Sequence, residues 1–289
     1  MDNYSNIENA EEDVLRFQQE TSIIRSLDHK HIVKMYDIFE DHEHYYVVME
    51  LVSGGELFDQ IVQKGFYPED EAVLLIHQVL TALVYLESLK ICHRDLKPEN
   101  LIFTDDTHKT LKLIDFGEAK SCANGPIKEY VGTTDYMAPE IIKGGEYDTR
   151  VDMWSLGVIA YVMLCGFPPW EGENESEVFV NIMTLQYDFP SPEWDIISDT
   201  AKDFIRSLLV EHGERLTAKE AKAHPWMKTN VTPAVQFSLT LPANLYSSDL
   251  LEKLKGTIGD HLKLNSTEVE IETETVKGVT KSTLSFPST

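Results

Sequence analysis

The stretch that most constrains this chain is His93-Arg94-Asp95-Leu96-Lys97-Pro98-Glu99-Asn100. Six of its eight side chains can carry, donate or accept a proton or hydrogen bond. Taken alone, it is a polar turn between two strands. Along an extended loop, residues two apart point the same way, so Lys97 faces where Asp95 faces. Two further motifs follow in fixed order. Asp115-Phe116-Gly117 lies twenty residues after Asp95, and Ala138-Pro139-Glu140 comes after that.

Together these motifs resemble the eukaryotic protein kinase family. The octet carries its His-Arg-Asp-Leu…Asn catalytic-loop pattern, and five fixed residues at fixed spacing match by chance roughly once in 10⁴ such sequences. The resemblance implies transfer of the ATP γ-phosphoryl group, in which catalysis is mostly positioning and charge neutralisation. It assigns Asp95 to accept a hydrogen bond from the substrate hydroxyl and to take its proton late. Lys97 then screens the γ-phosphate, and Asn100 and Asp115 hold Mg²⁺. Thr133 matches the threonine that contacts Asp95 and Lys97 in Ser/Thr kinases, which points to Ser and Thr acceptors. Glu140 is expected to pair with Arg215, and Asp152 to accept backbone N–H bonds from the catalytic loop.

Charge sets the partners. The chain carries a net −24. Residues 228–289 hold six lysines and seven carboxylates, so −23 falls on residues 1–227. Such a field repels nucleic acid and anionic membranes and favours basic protein partners. Cys92, Cys122 and Cys165 are scattered, with no Cys-x-x-Cys spacing. They read as reduced thiols, neither a disulfide frame nor a zinc site, and the expected setting is cytoplasmic. No run reaches the roughly 18–20 apolar residues of a membrane span. The most apolar stretch, Trp154 to Cys165, reads as a buried helix.

Val14, Phe17, Ile24 and Leu27 fall at helical spacings. This segment resembles the small-lobe helix of the family, with Glu20 in the place of its ion-pairing glutamate. Two β-like runs follow, Ile32 to Ile38 and Tyr45 to Val52, turning at Asp41-His42-Glu43. By register with the family, Met49 is the gatekeeper, Glu50 and Val52 are the hinge positions that hydrogen-bond adenine, and Ile102 forms the floor beneath it. Glu56 matches the glutamate that binds an Arg three residues before the phosphoacceptor; its bland reading is a helix cap. Val162 stands where strongly basophilic relatives carry a second carboxylate, so the expected preference is basic at minus three only. Helices are expected at 69–89 and around 176–186, 199–210 and 217–223. Glu129 occupies the place of an activating phosphothreonine and is expected to pair with Arg94.

The pattern departs at the front: no Gly precedes Gly54, and the first lysine is Lys30. The family's Gly-rich loop and its small-lobe Lys have no counterpart here. The expectation is therefore α+β, a bilobal kinase fold with a truncated N-lobe (1–52), an intact helical C-lobe (53–227) and a partly disordered tail (228–289). The Gly-Gly-Glu-Leu-Phe and Gly-Phe-Pro-Pro-Trp stretches look most like the calmodulin- and calcium-dependent kinase group. The implied cofactors are ATP and Mg²⁺. The alternative is a scaffold with weak or no ATP turnover. In the tail, Leu250 to Leu264 suits a short amphipathic helix, and Thr267 to Val276 an edge strand or disorder. Lys253, Lys255 and Lys263, scattered among acids, make a weak calmodulin-binding pattern.

Overall fold

The computed structural model describes residues 17, 20–42, 44–172 and 174–228, and three backbone strands at 237–242, 270–276 and 279–285. The chain divides into two compact units, Met1–Lys228 and Thr229–Thr289.

The first unit opens with helix α1 (residues 20–26), which buries Ile24 and, just beyond its end, Leu27. Strands β1 (Met35–Glu40) and β2 (Tyr45–Met49) then form an antiparallel hairpin, with Ile38 opposite Val47 and Phe39 opposite Tyr46. Its turn is set by Asp41, whose Oδ1 accepts from His44 N at 2.8 Å. Asp and Asn favour such turns because their short side chains bond the backbone a few residues on. Both strands are shorter than the runs read from the sequence. Ile32 and Val33 instead run beside the later strand β5 (Leu111–Leu113), where Val33 N donates to Leu113 O at 3.0 Å.

The rest of this unit is mostly helical. After α2 (Leu57–Lys64) comes α3 (Glu69–Ser88), which buries Val73, Ile76, Val79, Leu80, Leu83 and Leu86 at three- and four-residue spacings. By length and composition α3 is apolar enough to cross a membrane, beyond what its broken apolar run suggested. Half of it is buried here, against β5, α5 (Arg150–Cys165) and α8 (Ala218–Lys222). Its first residue works at long range. Glu69 accepts from Ser198 N and Oγ and from Trp226 Nε1, at 2.9, 2.6 and 3.0 Å. One carboxylate thus joins α3 to the starts of α7 (Asp199–Leu208) and α9 (Pro225–Lys228).

Helix α5 is apolar nearly all round and buried from Val151 through Tyr161. Its Trp154 stacks on Trp170 at 5.1 Å between centroids. The remaining elements are two-residue strands β3 (Ile91–Cys92) and β6 (Lys120–Ser121), strand β4 (Leu101–Phe103), and the short helices α4 (Pro139–Ile142) and α6 (Glu175–Met183). β3 pairs with β6 and β4 with β5, both antiparallel.

The second unit is a three-stranded antiparallel sheet in the order β7 (Phe237–Pro242), β9 (Val279–Ser285), β8 (Glu270–Val276). β8 is an edge strand, one of the two readings of the Thr267–Val276 alternation, and Glu274 stands opposite Lys281 in its register. The helix expected over Leu250 to Leu264, and the three lysines within it, lie outside the described residues.

Candidate active site

The octet is held from below. Asp152, on the first turn of α5, is completely buried and accepts from His93 N at 2.7 Å and Arg94 N at 2.8 Å. Burial pushes its carboxyl above the usual range, and the nearby His93 and the two N–H bonds oppose that push. Arg94 sits at φ +71°, a left-handed conformation that costs a non-glycine residue on the order of 1 kcal/mol. The paired N–H bonds hold the backbone in it. The His93 ring meets Phe116 edge-on at 5.0 Å, and its Nε2 lies 3.0 Å from Ile114 O. The octet and the Asp115 turn are therefore packed together.

Above this base lies a triangle of polar contacts. Thr133 Oγ1 donates to Asp95 Oδ1 at 2.7 Å, Lys97 Nζ lies 2.8 Å from Asp95 Oδ2, and Lys97 donates to Thr133 Oγ1 at 2.9 Å. Burial raises the Asp95 carboxyl, but the Lys97 and Thr133 bonds and the Lys97 charge outweigh it, leaving Asp95 below its ordinary value. Asp95 is thus an ionised acceptor. Gly132 brings Thr133 here: its φ is +119°, and a Cβ on it would stand 2.7 Å from Arg94 O.

Asn100 closes a short 3₁₀ turn, Pro98–Asn100, under Asp95. Its Nδ2 donates to Asp95 O at 2.8 Å and to Asp95 Oδ2 at 3.3 Å, which turns Oδ1 to the other side of the amide. Ile114 N donates to Asn100 O at 3.0 Å, so the residue before Asp115 is tied to Asn100. Asp115 is exposed, at φ +58°, with Oδ1 accepting from Gly117 N at 3.1 Å. A carboxylate and a carboxamide oxygen are hard donors. They fit Mg²⁺, which is usually held by one or two protein groups with phosphates and water completing its shell. Among the described residues there is no cluster of three or more His, Cys, Asp or Glu suited to a metal.

Glu20 lies beside this turn, its Oε2 3.8 Å from where a Cβ on Gly117 would stand. Burial, then the charges of Asp115 and Glu118, raise its carboxyl. It faces other carboxylates, so a cation brought between Glu20 and Asp115 would be stabilised by both.

The residues read as an adenine site line the crossing from β2 into the helical part. Met49 ends β2 opposite Met35. Glu50 N donates to Lys34 O at 2.8 Å, so a ligand edge at Glu50 would have to use its carbonyl. The Glu50 carboxylate is taken by Lys112 Nζ at 2.8 Å. Leu51 is 87% exposed and Val52 half-exposed. The chain then runs beside β4: Gly54 N donates to Phe103 O and Phe103 N to Gly55 O, both at 2.9 Å. Only glycine fits at 54, where a Cβ would meet Asp105 O at 2.2 Å. This pairing bridges Glu56 to Ile102. Glu56 precedes α2 at the cap position, yet its side chain makes no capping bond.

The 115–140 segment is anchored twice. Glu129 Oε2 accepts from Arg94 Nη1 at 2.6 Å, and its Oε1 pairs with Lys120. Tyr147 completes the anchor, its hydroxyl donating to Glu129 O at 3.0 Å while accepting from Arg94 Nη1 at 3.2 Å. Further on, Arg215 grips Glu140 with two parallel bonds of 2.6 and 3.0 Å, beneath the Trp154 ring. Lys112, Lys120 and Tyr147 were not singled out from the sequence. Each partner lies at a separation that no local pattern marks.

Residues 3–227 match the model for the protein kinase domain. A probable myosin light chain kinase of Dictyostelium discoideum is 46% identical over 225 residues, covering 76% of this chain and 57% of that protein. A calcium/calmodulin-dependent protein kinase type 1 of Macrobrachium nipponense is 45% identical over 215 residues, 74% of this chain and 62% of its own. The protein of that name in Caenorhabditis elegans is 40% identical over 248 residues, 85% of this chain and 66% of its own. The chain thus spans about three fifths of the length of the first two. A likeness of this depth, running through the octet, the Asp115 turn and the closing helices, makes the chain a member of the protein kinase family, in its calcium/calmodulin-dependent kinase group.

Proposed function

We propose that this chain transfers the γ-phosphoryl group of ATP to serine or threonine hydroxyls of proteins carrying a basic residue three positions before the acceptor. The observation that carries this reading is the Asp95–Thr133–Lys97 triangle. An ionised carboxylate, held on one oxygen by a hydroxyl and on the other by an ammonium, is positioned to orient an incoming alcohol. Its lowered basicity suits proton acceptance late in a loose transition state. Lys97 supplies positive charge on the same side. Asn100 Oδ1 and Asp115 would hold Mg²⁺, which when bound to ATP neutralises charge on the β- and γ-phosphates. Met49, the Glu50 carbonyl, Val52 and Ile102 would take the adenine. Glu56, unused as a cap, is the carboxylate assigned to the substrate's basic residue.

The test is phosphorylation of a peptide with Arg at minus three, comparing the full chain with Asp95→Asn. Incorporation that falls to background in the variant supports the reading. Equal incorporation in both, with or without Mg-ATP binding, favours a scaffold that has no turnover. Two relatives carry calmodulin in their names, and a calcium-dependent calmodulin pull-down on the full chain tests that partner separately.

A further inference from the structure

Strand β2, Tyr45-Tyr46-Val47-Val48-Met49, carries no charge and no proline. Among the described residues it pairs with β1 alone, so its other edge has no neighbour. The backbone shows which groups that edge presents. Asp41 N donates to His44 O at 3.0 Å, and at the far end Glu50 N donates to Lys34 O at 2.8 Å. Hydrogen-bonded positions alternate along an antiparallel strand, so Tyr46 and Val48 turn their N–H and C=O toward β1. Tyr45, Val47 and Met49 turn theirs outward. An open edge of this kind is a template for another strand unless charge, proline or a bulge blunts it. β1 is blunted: it has a bulge between Met35 and Asp37 and carries Asp37 and Glu40. β2 has none of these devices. The hairpin also leaves Phe39, Tyr46 and Val48 exposed. Phe39 and Tyr46 stand opposite each other, and Val48 shares the face of Tyr46, two residues along.

We propose that two copies of this chain associate through β2, edge to edge and antiparallel, about a twofold axis at Val47. The register follows from the groups that face outward. Val47 meets Val47 of the second copy, Tyr45 meets its Met49, and Met49 meets its Tyr45. Each of these pairs exchanges both N–H···O=C bonds, so every outward backbone group of the strand is used. A shift of one residue would set outward groups against inward ones, and a shift of two would leave strand residues unpaired. A twofold contact must be complementary to itself, and this one is. Between the bonded pairs, Tyr46 stands opposite Val48 of the other copy, an aromatic against a β-branched side chain. One step beyond the strand, His44 falls opposite Glu50, whose bonds to Lys34 N and Lys112 Nζ both use Oε2. No like charges face each other along this seam. A basic segment, which the chain's net charge favours in general, finds no carboxylate on β2 to read. The pairing stops at Met49, short of the Glu50 carbonyl and of Val52, which are assigned to adenine.

The experiment measures the mass of the full chain by sedimentation velocity over a hundredfold range of concentration. It is run in reductant and about 0.3 M salt, which screens two acidic chains from each other. The mass should rise from 32.9 kDa to twice that value. Hydrogen exchange at the amides of Tyr45, Val47 and Met49 should slow over the same range. Three variants locate the contact. Val47→Pro removes an N–H that β1 does not use and should leave a monomer. Tyr46→Lys with Val48→Lys sets like charges opposite each other across the axis and should also leave a monomer. Tyr46→Glu with Val48→Lys sets opposite charges there and should restore the dimer, which a misfolded hairpin could not do. The proposal is overturned if the parent stays at 32.9 kDa throughout, whether its β2 amides exchange freely or are protected by another segment of the same chain. A dimer that survives both separating variants would put the contact elsewhere and overturn it as well. A Glu and Lys variant that stays monomeric would overturn the register.

Discussion

Arg94 Nη1 and Glu129 Oε2 stand 2.6 Å apart, joining a guanidinium that is 6% exposed to a carboxylate that is 45% exposed. The buried partner needs the charge more than the exposed one does. In this fold the site is read as that of a phosphorylated threonine, and here a fixed carboxylate fills it.

Activity should therefore not require phosphorylation of the 115–140 segment. Protein made in bacteria and treated with phosphatase should phosphorylate a basic peptide as fast as untreated protein. Glu129→Ala should slow it by about two- to fivefold, the scale of an ion pair with one partner in water. A phosphatase-treated sample without activity would show that the carboxylate does not suffice.

The same contact fixes a pH dependence. Hydrogen bonds from Lys120 and then Arg94 hold Glu129 below the ordinary carboxylate value. A carboxylate whose folded pKa is depressed contributes stability above its unfolded value, about 4.3, and loses it as pH falls through the lower folded value. Urea midpoints of the parent and of Glu129→Gln should differ by a constant amount from neutral pH down to about pH 5 and converge below about pH 4. A gap that persists in acid would assign the difference to packing.

How much of this site could be read in advance depended on how far apart its members lie. Asp95, Lys97 and Asn100 are spaced by the chain itself, so an extended loop and one tight turn bring them together. Glu140 with Arg215, and Asp152 with the octet N–H groups, were reached through the family pattern and are where it puts them. Glu50 with Lys112, and Tyr147 with Arg94, leave no trace in periodicity, because a pairing across 62 or 53 positions is decided by how lobes and segments pack. The first run begins too early, at Ile32 where β1 begins at Met35, because Ile32 and Val33 are apolar for a different reason, their burial beside β5; the second begins with β2 at Tyr45 and overruns its end at Met49. Alternation reports burial and does not say against which element.

Glu140 and Arg215 should behave as one structural unit. The Arg215 side chain is 0% exposed, so Glu140→Gln leaves a buried charge with backbone carbonyls and the Trp154 ring but no counter-charge. Removing one partner of such a pair costs about 3–5 kcal/mol, or a melting temperature lower by about 10 °C at this size. Replacing both, as Glu140→Leu with Arg215→Met, should cost less than the sum of the single changes. Additive losses would mean the two residues act independently.

Thr133 separates positioning from binding. Thr133→Val keeps the side chain's shape and removes the hydroxyl that donates to Asp95 and accepts from Lys97. Asp95 Oδ1 then loses its donor, and the acceptor oxygen is no longer directed. The turnover number should fall about 10- to 100-fold, with Thr133→Ser near parental, while Asp95→Asn loses about 10²- to 10⁴-fold. Neither Thr133 nor Asp95 is assigned to the metal or the nucleotide, so Mg-ATP should still raise the melting temperature of both variants. Asp115→Asn should abolish that rise, because it removes the carboxylate from a two-residue donor set. If Thr133→Val lost the Mg-ATP shift as fully as Asp115→Asn, the hydroxyl would be part of the nucleotide site and the triangle would have to be reassigned.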